Sequence, residues 1–176
     1  MRAPRPAQLC WLVGKGFVHA SPLGVKLPMF VYEIDPAFGF AVVVFAPPVE
    51  EDDFARYVEL IPQLDRRGAG REGPALIVEF AEGYPPPNAS WRKRFVDARA
   101  GIASKPIVAL VTPSRAMRTA IALARWIRPP TFDQGVFATV EEAMDWVTTA
   151  RGPAAKVLDK LHGDALRRVH DARERP

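Results

Sequence analysis

The 176-residue chain contains few of the residues on which redox and metal chemistry depend. Its single cysteine, Cys10, excludes an intramolecular disulfide framework and favours a reducing compartment. Its three histidines, His19, His162 and His170, lie outside the regularly patterned part of the chain, which argues against a metal cluster or a catalytic triad. We therefore expect no metal, no cofactor and no enzymatic activity.

The sequence also lacks the motifs and apolar runs that identify several large classes of protein. It has no G-x-S-x-G elbow, no G-x-G-x-x-G fingerprint and no P-loop. No run approaches the ~18 apolar residues of a membrane span, and the apolar segment from Leu9 to Gly14 is too short for a signal peptide. No nucleic-acid-binding motif is present. We expect a cytoplasmic protein with no membrane span and no nucleic-acid partner.

What remains is a regular alternation of apolar strands and amphipathic helices between Met29 and Ala150. Two closely spaced strands at 30–34 and 40–45 predict an antiparallel hairpin, and the following alternation predicts parallel strands. The predicted fold is therefore α/β, with a mixed, mainly parallel sheet of about five strands flanked by four helices. Residues 1–28, rich in proline and glycine, predict an irregular tail, and residues 151–176 predict a C-terminal helical extension.

Capping and breaking residues indicate where three of the helices begin or end. Pro62, and then Gly68 and Gly70, predict the end of the first helix. Thr112 followed by Pro113 predicts the start of the third helix, with a capping side chain and a proline at the first helical position. Residues 139–142, Thr-Val-Glu-Glu, predict a capping box at the start of the fourth.

Large aromatic residues in the second half of the chain have two interpretations. They fill the core, as large aromatics commonly do, or they line an apolar pocket. In the third helix, the apolar stripe is expected to be buried from Met117 through Ile127. The aromatic residues in question are Trp91, Trp126, Phe132, Phe137 and Trp146.

Three stretches of the chain resemble the STAS superfamily, and more closely its SpoIIAA-like branch of small standalone bacterial proteins. They are Pro106–Arg115 (PIVALVTPSR), Ala122–Ile127 (ALARWI) and Phe137–Val147 (FATVEEAMDWV). The resemblance covers roughly residues 30–148. It implies a small sheet flanked by helices that serves protein–protein or ligand interaction in regulation, without catalysis.

The resemblance also makes Ser90 a candidate phosphosite. In the anti-sigma-factor antagonists of that superfamily, a serine at the start of the second helix is phosphorylated, and Ser90 lies near that location. The usual Asp-x-Ser setting is replaced by Pro87-Asn-Ala-Ser. The alternative is that Ser90, or Asn88, simply caps the helix.

A second candidate site is a stripe of arginines on the third helix. Its members fall within roughly a third of the helix circumference at 100° per residue. Such a surface could receive an acidic partner, a phosphate or an anionic lipid head group, and the alternative is an ordinary solvated helix face. The stripe consists of Arg115, Arg118, Arg125 and Arg128, and the preceding helix adds Arg92, Lys93, Arg94 and Arg99.

The carboxylates at the strand ends give a weaker signal. Asp35, Glu79 and Glu82 lie there, but nothing in their spacing requires them to converge, so they are interpreted as turn or surface residues. The sequence therefore favours a non-enzymatic, STAS-like interaction or regulatory domain that binds a protein partner. The alternative is a carrier or sensor of a small apolar or anionic ligand such as a lipid.

Overall fold

The structure is a computed structural model of the chain. It describes residues 30–35, 37, 39–48, 51–68, 73–86, 88–127 and 129–174. The tail predicted at 1–28 lies outside the described residues, as does Arg128 of the arginine stripe.

The described chain folds into five strands and five α-helices in the order expected from the sequence. The elements are β1 Phe30–Asp35, β2 Phe40–Phe45, α1 Glu51–Gly68, β3 Ala75–Phe80, α2 Ala89–Ala100, β4 Ile107–Val111, α3 Arg115–Ile127, β5 Asp133–Phe137, α4 Val140–Arg151, a 3₁₀ turn Pro153–Lys156 and α5 Val157–Glu174. The predicted α/β class is confirmed. The number of helices is five in the described residues, where the sequence predicted four around the sheet.

The strands form one sheet in the order β1-β2-β3-β4-β5. β1 and β2 are the predicted antiparallel hairpin, with Phe30 opposite Phe45. β2, β3, β4 and β5 are parallel neighbours, so each connection from one to the next advances by a single strand. Successive crossovers of the same hand that advance in one direction carry their helices on the same face.

Side chains alternate between two cores on opposite faces of the sheet. The front core, on the side of α1, α2 and α3, contains Val43, Phe45 and Val78 among the strand residues. The back core, on the side of α4 and α5, contains Val42 and Ile77. Because β2 is buried along its whole length, its unbroken apolar sequence is explained by contact with both cores.

Helix α5 completes the back core, so the predicted C-terminal extension contributes to the packing of the sheet. Its buried residues include Leu158 and Ala165, and it lies against β1 and β2. Two polar contacts fix its position on the strands. His162 Nε2 lies 2.7 Å from Glu79 Oε2.

The second contact of α5 joins Arg168 Nε to Glu33 Oε1 at 2.7 Å. Burial raises the pKa of Glu33, and the charge of Arg168 opposes that shift. The sequence did not indicate that His162 and Glu79 come together.

The predicted start of α3 was wrong, and the predicted end of α1 was right at Gly68 but wrong at Pro62. Helix α1 continues through Pro62 to Gly68, because the turn after the proline places Leu64 in the front core, where it is only 2% exposed. Helix α3 begins two residues later than expected. The Ser114 hydroxyl accepts a hydrogen bond of 3.2 Å from the Met117 N–H in the first turn. The capping residue is therefore Ser114, where the sequence predicted Thr112.

Candidate functional site

A cavity of about 330 Å³ lies on the front face, between the sheet and helices α1, α2 and α3. Its floor comes from every second residue of β3 and β4, because alternate side chains of a strand point to the same face. The strand register aligns Leu76, Val108 and Gln134 in one row across three strands. The floor is therefore apolar with one polar end, at Gln134 of β5.

The cavity exists because two helices do not pack closely over the middle of the sheet. Helix α2 packs mainly against α1, and α3 packs mainly against β5. On α3, Ala120 and Ala124 line the cavity and yet are exposed. These two positions face inward with buried Met117, so their exposure shows that the space beneath them is not filled by side chains.

Arg99 is the main charged group of the cavity wall. It ends α2 and lies half-buried, and its guanidinium donates a hydrogen bond of 2.7 Å to the Gln134 side-chain oxygen. The guanidinium also lies 4.9 Å from the centre of the Phe132 ring. Burial lowers the pKa of Arg99, the neighbouring charge of Arg125 lowers it further, and Tyr57 opposes the change.

Two of the arginines of this wall, Arg99 and Arg125, have no acidic partner among the described residues. Arg99 and Arg125 both line the cavity, and within the described part of the chain neither forms an ion pair with a carboxylate. The lining does include Asp65, but its carboxylate accepts hydrogen bonds from Ser104 and from the Ala103 N–H. A guanidinium in an apolar wall without a paired carboxylate is a candidate position for an anion.

The polar groups of the lining are better suited to binding than to bond-making chemistry. The Ser104 hydroxyl is held by Asp65. Burial raises the pKa of Tyr57 to about 12, so its phenol is a neutral donor at physiological pH and not a base. No group of three or more histidine, cysteine or carboxylate side chains able to hold a metal ion occurs in the described chain.

The structure separates the members of the predicted arginine stripe. Arg125 lines the cavity, as does Arg92 of the preceding helix. Arg118 instead donates to the backbone oxygens of Thr112 and Pro113, at 2.7 and 2.9 Å, so it stabilises the connection from β4 to α3. Arg115 is exposed.

Ser90 is exposed in the first turn of α2. The cap of that helix is Asn88, whose side-chain oxygen accepts a hydrogen bond of 2.9 Å from the Trp91 N–H. The capping role thus belongs to Asn88, one of the two residues considered for it. Ser90 stays a candidate phosphosite with an accessible side chain.

The predicted core assignments of α3 were wrong at its C-terminal end. Trp126 is 83% exposed and Ile127 is 71% exposed, and Leu123 is exposed as well. Trp126 lies nine residues after the buried Met117, which is about half a turn of the helix circumference at 100° per residue. Its side chain therefore projects on the side of α3 opposite the front core.

The carboxylates at the strand ends do not converge. Asp35 lies at the end of the sheet where β3 begins, since it is opposite Phe40, which pairs with Ala75. It accepts a hydrogen bond from the Ala37 N–H and so serves the hairpin turn. Glu79 lies near the other end of the sheet, in contact with α5.

The sequence gives no indication that Arg99 and Gln134 form a pair. The two residues are 35 positions apart, and their contact depends on the register of β5. The one available signal was a glutamine in a short strand that the structure buries to 7% exposure. A polar side chain buried in a strand needs a partner, and here the partner is a guanidinium.

In comparisons with known proteins, no family model, curated protein or solved structure matches the chain. The candidate site therefore rests on the geometry of this chain alone.

In the described residues, no helix has the length and apolar character needed to cross a bilayer.

Proposed function

We propose that the protein binds a small molecule with an apolar body and an anionic group in the front-face cavity, as a carrier or sensor. The observation that carries this proposal is the guanidinium of Arg99 in an apolar wall, with Gln134 as its hydrogen-bond partner and no paired carboxylate in the described chain. Ligand sites are commonly apolar cavities of about 300–1,000 Å³ with a few placed polar groups. A fatty acid or a similar carboxylate is the simplest molecule with both features.

The size and lining of the cavity support an apolar ligand body. The floor residues Leu76, Val108 and Leu110 are apolar, and the helices above add Phe95 and Ile121. An alkyl chain in this space would leave water and gain dispersion contacts with a preformed surface. The carboxylate would lie at the end of the cavity that Arg99 and Arg125 approach, where its charge would relieve the repulsion between the two guanidinium groups.

Calorimetric titration with decanoate and with decanol tests the proposal, because the two ligands share the chain and differ in the charge. A hydrogen bond to a charged group contributes about 1.5–3 kcal/mol, so we expect decanoate to bind at least about tenfold more tightly. The variant Arg99→Met should lose this preference and keep affinity for decanol. Arg167→Gln, an exposed position on α5, is the charge-matched control and should behave like the wild-type protein.

A second variant tests whether the ligand enters the cavity. Ala124→Phe places a large side chain in the open space beneath α3, and we expect it to prevent the binding of both ligands. Ala150→Phe, an exposed position on α4, is its control. Equal affinity of the wild-type protein for decanoate and decanol, or binding that survives Ala124→Phe, would contradict the proposal.

The regulatory role implied by the STAS resemblance is a separate prediction. It requires a protein partner, and Ser90, whose exposure makes the hydroxyl accessible to a kinase, is its candidate phosphosite. Mass spectrometry of the protein isolated from its host would detect the phosphate. A ligand that ordered α2 and α3 would connect the two roles, since Ser90 and Arg99 belong to the same helix.

A further inference from the structure

Three exposed apolar side chains lie close together on the outer face of α3. Leu123, Trp126 and Ile127 are 56%, 83% and 71% exposed. They account for three of the four large hydrophobic side chains that are exposed in the described chain, and the fourth, Leu166, lies on α5. We call these three residues the outer α3 patch. None of them lines the cavity, so the patch is distinct from the proposed ligand site.

Helices α2 and α3 are strongly basic. Helices α2 and α3 carry seven basic side chains, against the single carboxylate of Asp97. That excess is larger than the formal net charge of +4 for the whole chain, so the rest of the chain carries a net negative charge. The positive charge is thus concentrated on α2 and α3. Three of these arginines line the cavity and Arg118 is bonded to the backbone before α3, so the exposed Arg115, eleven residues before Trp126, is the cation on the same side of α3 as that residue.

We propose that the outer α3 patch docks on an anionic lipid membrane, with Trp126 inserted at the interface and the exposed Arg115, on the same side of α3, facing the head groups. A helix that binds in the plane of a membrane combines tryptophan and large aliphatic residues on one side with arginine and lysine around them. Tryptophan favours the interface because it has a large apolar ring and an N–H that remains hydrated. This proposal does not depend on the ligand of the cavity.

The narrow shape of the patch favours a membrane over a protein surface. A stable protein interface covers about 800 Å² on each partner, and three side chains on one helix supply only a part of that area. A membrane needs only shallow insertion of a few apolar groups, supported by attraction between cations and anionic lipid. The absence of any carboxylate from α3 removes the main source of repulsion from such a surface.

Co-sedimentation of the full chain with lipid vesicles tests the proposal. We expect strong binding to vesicles that contain phosphatidylglycerol in a phosphatidylcholine background, weak binding to phosphatidylcholine alone, and release at high salt because the charges become screened. Trp126→Ser should lower the partition coefficient at least about tenfold, which corresponds to the loss of one buried large side chain. The triple variant Leu123→Ser, Trp126→Ser and Ile127→Ser should abolish measurable binding.

Two controls separate this result from misfolding and from general charge effects. Leu166→Ser removes the exposed apolar residue on α5 and should leave vesicle binding unchanged. Because the patch residues are exposed, the variants should keep the circular dichroism spectrum and the decanoate affinity of the wild-type protein. If the cavity proposal is wrong, the chain will not bind decanoate but will still bind vesicles, so the two tests are independent.

Several results would overturn the docking proposal. One is equal binding to neutral and anionic vesicles, and another is vesicle binding that survives the triple variant. A third is a lipid-free dimer that the triple variant dissociates, which would assign the patch to a second copy of the chain. A host protein captured through the patch by a chain that does not bind anionic vesicles would assign it to a protein partner.

Discussion

Arg99→Met is the substitution that best separates a ligand-binding arginine from a structural one. The arginine makes one hydrogen bond, to Gln134, and contacts the Phe132 ring. Losing a hydrogen bond from a charged donor costs about 1.5–3 kcal/mol when the acceptor is left without a partner. In this structure the cavity borders Gln134, and water there could hydrogen-bond to its side chain, so the actual cost should be at the lower end of that range.

Opposing this cost is the removal of a buried charge. Burial already lowers the pKa of Arg99, which shows that its charged form is less well solvated than in water, and Arg125 adds repulsion. Even a buried ion pair can often be replaced by hydrophobic residues of similar volume with a change that is neutral or stabilising by about 1–4 kcal/mol, and the half-buried Arg99 has no paired carboxylate that would be left behind. The methionine side chain also retains the apolar contact with Phe132. We therefore expect the free energy of unfolding of the ligand-free protein to fall by no more than about 1 kcal/mol.

Urea unfolding followed by circular dichroism measures this difference from the midpoint and the slope. Decanoate at a hundred times its Kd should stabilise the wild-type protein by about 2.7 kcal/mol and should stabilise the variant far less. A loss of more than about 3 kcal/mol in the ligand-free variant would refute the reasoning. It would show that Arg99 holds the fold together and that its charge is already satisfied without a ligand.

Three further substitutions test particular local interactions. Glu142→Ala removes half of the capping box of α4, and calorimetry should show a Tm lower by roughly 2–4 °C for a loss of about 1 kcal/mol. Burial raises the pKa of Asp65, but its hydrogen bonds to the 103–104 turn lower the pKa more, to a value below its ordinary 3.8. The ionised form of Asp65 therefore stabilises the fold at pH values above its ordinary pKa of 3.8, and this stabilisation is lost as the pH falls through the lower pKa of the folded state. Asp65→Asn should therefore flatten the acid dependence of the urea midpoint. Gly73→Ala adds a Cβ against the backbone of Lys105 at a φ of +88° and should cost about 1–3 kcal/mol, whereas Gly152→Ala, at a φ of +75° with open space around it, should cost less.

Most of the fold could be predicted from the sequence, because its signals are local. An apolar run such as residues 40–45 indicates a buried strand wherever it lies in the sheet, and a capping box at 139–142 specifies a helix start through bonds within four residues. The errors came from tertiary contacts. Pro62 does not end α1 because Leu64, in the next turn, gains a place in the front core. Single-residue propensities contain no information about that gain.

The site was harder to predict, for a reason that α3 makes clear. This helix has apolar residues on its inner side at Met117 and Ile121 and also on its outer side at Trp126, so its periodicity presents two candidates for the buried face. Only the position of the helix over β5 decides between them. In the same way, the sequence contained both Arg99 and Gln134 but not the register that brings them to hydrogen-bonding distance.

The location of the cavity follows from the topology more than from any one residue. Each parallel connection on the front face advances by one strand, about 4.8 Å, while packed helices need about 8–10 Å between their axes. Three successive helices therefore cannot each lie directly over their own strands, and the middle one is displaced from the sheet. Helix α2 is that helix, and its packing against α1 instead of the sheet leaves space above β3 and β4.

The back face has no such conflict, since α4 and α5 follow the last strand and can spread over the sheet. The same displacement brings Arg99, at the end of α2, to the edge of an apolar space, which is why this half-buried guanidinium and the cavity are found together.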